Sequence, residues 1–182
     1  PPEFTQLDLE MSFVAEDDIL SLTEELYLDI MAKIVPELRV NNPMPRIKYQ
    51  DAMDRYGTDK PDIRFGLELE DLSKEVEGLD FTVFKDALAA GGCIKALCAP
   101  ACGSYSRKQL SELTEFAVTR GATGLITVAV DREGEQNGNT YRSVLNKYLN
   151  DVEMHAIAKA AQASSGDLIL IVAGKPKTVN SV

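Results

Sequence analysis

The sequence predicts an α+β fold: a two-layer sandwich with a largely antiparallel sheet, preceded by a strand and a helix of separate character. Three observations predict it. Apolar, β-rich runs of six residues recur at Cys93–Cys98, Leu125–Val130 and Leu168–Ala173, each bounded by turn residues. A well-signalled helix lies between the first two: Ser106-x-x-Gln109 is a capping box, Leu110, Leu113, Phe116 and Ala117 share one face, and Gly121 stops it. With Phe81–Phe84 read as strand and the excursion 141–163 set aside, residues 81–182 run strand, strand, helix, strand, strand, helix, an order that suits helices on an antiparallel sheet.

Taken in order, the chain opens with an alternation. Thr5, Leu7, Leu9, Met11 and Phe13 interleave with Gln6, Asp8, Glu10 and Ser12, so a strand here puts an apolar set on one side and a row of acceptors on the other. Asp17 or Asp18 then caps an amphipathic helix of about four turns, with Ile19, Leu22, Leu26, Ile30 and Ile34 at spacings of three and four and acids in the first turn. Pro36 ends it, and Val40–Pro45 is a rigid connector. Ile47–Tyr49 reads as a short strand and Gln50–Tyr56 as a short helix closed by Gly57. A lone strand and helix bury neither apolar face fully, so this section is expected to lean on material outside the chain.

Thr58–Arg64, with four charges and a proline, is the expected boundary, giving segments 1–64 and 65–182. Beyond it, Phe65–Glu70 alternates, Asp71–Val76 is a helical turn, and Ala87–Gly92 is a small-residue turn. Arg132–Asn139 is a polar loop, Tyr141–Leu149 and Asp151–Ala163 are helical, and Pro176 stands at N1 of a last helix.

With 182 residues, 45% of them apolar, the chain can bury a sizeable core. No apolar run approaches the roughly 20 residues of a membrane span, and the N-terminus lacks the basic and apolar regions of a secretory signal; a cytoplasmic location without a membrane partner is expected. The net charge of −10 argues against a surface coated for nucleic acid. Its distribution qualifies this. Residues 1–31 hold nine acids and no Lys or Arg, so the rest is nearly neutral and local basic patches there remain free to touch RNA.

No self-contained catalytic set is visible. A P-loop and a G-x-S-x-G turn are absent, and Cys93, Cys98 and Cys102 are unlike zinc spacings, with His155 the sole histidine. They read as reduced thiols. Two features carry possible binding chemistry. The row Gln6, Asp8, Glu10 could hold an ammonium group or a metal ion, or be a solvated strand face. Arg107 and Lys108 stand in the first turn of the capped helix, where the dipole disfavours cations. With Ser106 and the free backbone N–H groups they compose a candidate RNA phosphate contact, against a plain cap with two solvated cations.

Several strings then agree with one family. Pro2-Glu-Phe-Thr-Gln-Leu-Asp-Leu-Glu-Met-Ser-Phe13, Tyr56-Gly-Thr-Asp-Lys-Pro-Asp-Ile-Arg64, Ser106-Arg-Lys-Gln109 with Glu112-Leu-Thr-Glu-Phe116, Gly121-Ala-Thr-Gly-Leu125 and Gly166-Asp-Leu168 resemble bacterial-type aspartyl-tRNA synthetases of class II, in the family's order and over nearly the whole chain. The resemblance implies that residues 1–14 are the second strand of motif 2 in a catalytic core. From about residue 65 it implies the inserted GAD domain, similar to a module in the B subunit of tRNA-dependent amidotransferases. It implies that Asp8 holds the α-amino group of aspartate beside Gln6 and Glu10. The implied chemistry is activation of aspartate by ATP with magnesium and transfer to tRNA(Asp) by a homodimeric parent enzyme.

The departures are equally specific. The arginine-bearing half of motif 2, motifs 1 and 3 and the anticodon-binding barrel are not in the chain, Pro1 stands where the family usually has Gln, and the last helix is cut at Val182. An excised piece is therefore expected, without bound cofactor, inactive in forming aspartyl-adenylate, its GAD portion contacting the tRNA acceptor end or a neighbouring domain. The rivals are a free-standing GAD-type RNA- or protein-binding module and a metal-dependent enzyme using Asp8 and Glu10; two carboxylates on one strand do not complete an octahedral shell.

Overall fold

The computed structural model describes residues 2–131 and 140–182, and the chain falls into two units, Pro1–Ile47 and Lys48–Val182. The expected loop Arg132–Asn139 lies outside the described residues.

In the first unit the expected opening strand does not form: residues 2–11 have no regular secondary structure and are exposed. An extended segment is stabilised by a ladder, and no described residue pairs with this one. Leu7, Leu9 and Phe13 stand 69%, 53% and 107% exposed. Helix α1 spans Glu16–Ile34, so Asp17 and Asp18 lie inside its first turn rather than at the expected cap. Ala15 holds the cap position, and the Asp18 carboxylate accepts from its N–H at 2.8 Å. The connector runs back along α1: Arg46 donates to Asp17 (2.7 Å) and Ser21 (3.2 Å), and the Met44 N–H bonds Glu24. None of the residues of α1 is buried.

The second unit begins with α2, Tyr49–Tyr56, so the expected strand at 47–49 is absent and Tyr49 opens a helix; Gly57 closes it at φ 71°. A five-stranded sheet follows, built from β1 (Leu69–Asp71), β2 (Cys93–Ala99), β3 (Ile126–Asp131), β4 (Thr140–Ser143) and β5 (Leu168–Gly174). Their order is β1-β2-β5-β3-β4, and every neighbouring pair is antiparallel. The α+β class and the antiparallel sheet are those expected. The order of elements is kept with additions: β1 at Leu69–Asp71 takes the place given to Phe81–Phe84, a helix stands between β1 and β2, and β4 adds an edge.

Phe81–Phe84 belongs instead to the start of α3, Thr82–Ala89. Phe81 and Phe84 meet edge-on with centroids 4.9 Å apart, and Phe84, Ala87 and Leu88 recur at helical spacing into the core. Four apolar residues do not fix a period, and Ala87–Ala90 favours helix rather than the expected turn. Tyr141–Leu149 is likewise not one helix: Tyr141 pairs with Val130 in β4, and a 3-10 turn covers Val144–Lys147 with Ser143 accepting from Leu145 N–H. Helices α4 (Arg107–Thr119) and α6 (Pro176–Val179, proline at N1) stand as expected, and α5 (Asp151–Ala160) starts as expected but ends three residues before Ala163, with Gln162 at φ 54°.

Strand alternation sorts the side chains. Ile94, Ala96, Val128, Val130, Ile169 and Ile171 face α3, α5 and the 72–81 turn, closing a core with Leu72, Phe84, Met154 and Ile157. Ala117, Ala122, Val172 and Val179 form a smaller cluster on the other face beneath α4 and α6. Beside it an apolar groove of about 240 Å³ runs among Leu97, Leu113, Phe116, Leu125 and Leu170.

Candidate functional site

The first candidate set, Gln6, Asp8 and Glu10, lies in the extended, exposed run of the first unit. The structure gives these side chains no ladder that would align them on one face, so it does not assemble the acceptor row. Among the described residues, no group of three or more His, Cys, Asp or Glu side chains is placed to hold a metal ion.

The second set is built. The Ser106 hydroxyl oxygen accepts from Gln109 N–H at 3.4 Å, and Ser106 N–H donates to Gln109 Oε1 at 2.9 Å, so both halves of the capping box are present. Arg107 and Lys108 are exposed at the head of the thirteen-residue α4. Lys108 reaches back only to Glu112, 3.9 Å away, a pair worth a few tenths of a kcal/mol at such exposure. The geometry thus brings Ser106, Arg107 and Lys108 together at one helix end, where first-turn N–H groups have no intrahelical partner.

What fixes this helix end is a residue that spacing alone did not single out. Asp167 Oδ1 accepts from Ala101 N–H and Oδ2 from Ser164 N–H, both at 2.9 Å, and Gly103 N–H bonds Gly166 carbonyl at 2.8 Å. These bonds tie the loop leading into α4 to the turn before β5. Gly103 has no alternative there: a Cβ would sit 2.8 Å from Gly166 carbonyl oxygen. Arg142 adds a bond to Gly103 carbonyl (2.8 Å) while paired with Asp131 (3.1 Å). Ala101, Gly103, Asp131, Arg142, Gly166 and Asp167 line a cavity of about 450 Å³.

Electrostatics disfavour Cys93 and Cys98 as neutral-pH nucleophiles. Cys98, whose Sγ lies 3.6 Å from Asp167 Oδ2, is pushed up to about 11, first by burial and then by the Asp167 charge and hydrogen bond. Burial also raises Cys93. All three cysteines are free thiols.

Two further groups were hidden in the sequence. Lys95, 6% exposed, donates to Asp54 carbonyl (2.8 Å), Met53 carbonyl (3.4 Å) and Asn180 Oδ1 (3.0 Å). Its signal was a single charge inside an apolar β run. Arg55 forks onto Glu68 with two bonds of 2.6 Å, and Tyr56 hydroxyl adds a third at 3.0 Å; together they hold the Glu68 carboxyl below the usual carboxylate range, chiefly through Arg55. In the Thr58–Arg64 string the Arg64 guanidinium, bonded to Asp62, brings that carboxyl down to about 2.

The GAD domain family matches residues 84–182. Over its full length the chain is similar to the aspartate–tRNA(Asp/Asn) ligase of Dehalococcoides mccartyi strain CBDB1, with 46% identity across 188 aligned residues, 100% of this chain and 31% of that protein. The aspartate–tRNA(Asp/Asn) ligase of Moorella thermoacetica is 46% identical over 97% of this chain and 28% of its own length. The aspartate–tRNA ligase of Clostridium kluyveri is 42% identical over 98% of this chain and 29% of its own length. The chain therefore spans about a third of the length of the relatives it matches.

Proposed function

We propose, from the premise that this chain belongs to the GAD domain family, that it serves as a segment of an aspartate–tRNA ligase. The observation carrying this is the extent of the likeness. A GAD module accounts for residues 84–182, whereas the similarity to ligases runs through residues 1–83 as well, at 46% identity overall. That extent favours the ligase over a GAD-type module acting alone.

In this reading residues 1–64 contribute to the catalytic core and residues 65–182 are the GAD insertion. The ligase activates aspartate with ATP and magnesium and transfers it to tRNA(Asp), as a cytoplasmic homodimer. Asp8 takes the ammonium of aspartate, with Gln6 and Glu10 beside it; in the ligase the 2–13 segment gains strand neighbours and its acceptors come onto one face. Ser106, Arg107 and Lys108 meet a phosphate of the tRNA, the cap fixing the helix end and the two cations supplying charge. The 182 residues alone form no aspartyl-adenylate.

The test is a graft in which this chain replaces the matching segment of the Dehalococcoides mccartyi ligase. The graft is expected to charge tRNA(Asp), while the isolated chain shows no aspartate-dependent pyrophosphate exchange. Asp8→Ala in the graft lowers kcat/KM for aspartate on the order of 100-fold, the loss of one charge-assisted contact of about 2–3 kcal/mol. Arg107→Glu with Lys108→Glu raises KM for tRNA and leaves pyrophosphate exchange unchanged. A graft that melts like the parent ligase yet charges no tRNA overturns the reading.

A further inference from the structure

Lys95 is the buried charged residue of the described chain, 6% exposed in the middle of β2. A buried ammonium is costly unless its protons are taken up, and here three acceptors surround it. Two are carbonyls of the last turn of α2, Met53 and Asp54; the third is the Asn180 side chain at the C-cap of α6. The last four carbonyls of a helix have no intrahelical partner and carry the negative end of its dipole. Met53 carbonyl already accepts from Gly57 N–H at 3.1 Å, so the main contact of the cation with the end of α2 is Asp54 carbonyl, and the same ammonium holds the Asn180 side chain at the end of α6. The Asp54 carboxylate stands 4.0 Å away, beyond a direct hydrogen bond.

The two helix ends also meet directly. A Cβ on Gly57 would lie 2.6 Å from Asn180 carbonyl oxygen. Arg55 and Tyr56 on α2 bond Glu68, just before β1. α2 lies outside residues 84–182, yet its C-terminal turn is fastened to a strand and to the last helix of that region.

We propose that Lys95 is a coupling joint: through its ammonium α2 and α6 hold or release together, so that a displacement of the last helix is transmitted to the helix preceding the domain. This does not depend on the ligase reading, because it concerns the fold of the chain itself. If that reading holds as well, the joint is the route by which a displaced α6 reaches the core segment.

Amide hydrogen exchange on the full chain tests it. Lys95→Met keeps an unbranched side chain of similar length and removes the charge. The amides of Ala52–Gly57 and of Val179–Ser181 are expected to exchange about tenfold faster or more, together, while the β2–β5 ladder changes less than about threefold. Asn180→Ala removes one acceptor but leaves the backbone contact with Gly57 in place. It is expected to speed exchange in α2 about threefold or more, and to add nothing there in the Lys95→Met background. Unchanged α2 protection in Asn180→Ala overturns the proposal. So does an effect on α2 that persists undiminished without Lys95, since the backbone contact would then be the link. If Lys95→Met abolishes folding, Asn180→Ala alone decides by its effect on α2.

Discussion

At the scale of single residues, Asp167 does most to shape the candidate site, because two loops and a thiol converge on its carboxylate. Burial first, and this carboxylate second, act on the Cys98 thiol. That thiol is raised from 9.0 to about 11, so the folded chain holds the proton more tightly than the unfolded chain. The stability this contributes is complete below about pH 9 and is lost as pH rises towards about 11. Urea unfolding of the parent and of Cys98→Ala across that window is expected to show the parent losing stability faster, so that the difference between them shifts towards the variant at high pH. A difference flat in pH sinks the assignment. Asp167 stands in a string, Gly166-Asp-Leu168, whose resemblance was legible, but its role was not. Its partner Ala101 is 66 positions away, and side-chain bonds to backbone at that separation leave no periodic trace in sequence.

At the scale of elements, legibility followed the length and clarity of local signals. The α4 helix was readable from Ser106 to Gly121 because its cap, its stripe and its stop all agree, and both halves of its capping box form. Runs of apolar residues with β-branched members, as in β3 and β5, were readable for the same reason. Phe81–Phe84 was not: four residues fit either period, and Phe84 at 0% exposure is buried equally well by a helix. Residues 5–13 had a strand's alternation without a strand's partner, and alternation supplies no hydrogen bonds. Tertiary contact also decides where a glycine is needed. Gly57 and Gly66 have similar backbones, φ 71° and φ 66°, but a Cβ on Gly66 meets nothing within 4 Å while one on Gly57 meets Asn180 carbonyl at 2.6 Å. Gly66→Ala is therefore expected to cost only the left-handed penalty of about 1 kcal/mol, and Gly57→Ala about 2 kcal/mol or more, because backbone must shift. Equal unfolding free energies for the two variants contradict the contact.

At the scale of the molecule, the two units draw on different sources of stability. The unit Lys48–Val182 closes a core with fully buried Phe84, Leu72, Ile94, Met154 and Ile157, the kind of burial in which each large side chain is worth about 1.5–3 kcal/mol. The unit Pro1–Ile47 has no such core: α1 buries no residue, and Ile19, Ile30 and Ile34 are 39%, 42% and 74% exposed. What holds α1 is local. Acids in its first turn suit the dipole, Asp29 and Lys33 pair at 2.7 Å, and Arg46 bridges Asp17 and Ser21. Exposed pairs of this kind contribute a few tenths of a kcal/mol each, and helices without tertiary burial are marginal in water even at this length. Residues 48–182 expressed alone are therefore expected to unfold in one cooperative transition, because that unit closes its own core. Residues 1–47 alone are expected to show weak helical circular dichroism that melts without a cooperative transition. A sharp, cooperative melt of residues 1–47 alone would contradict this, because it would need buried contacts that α1 does not make.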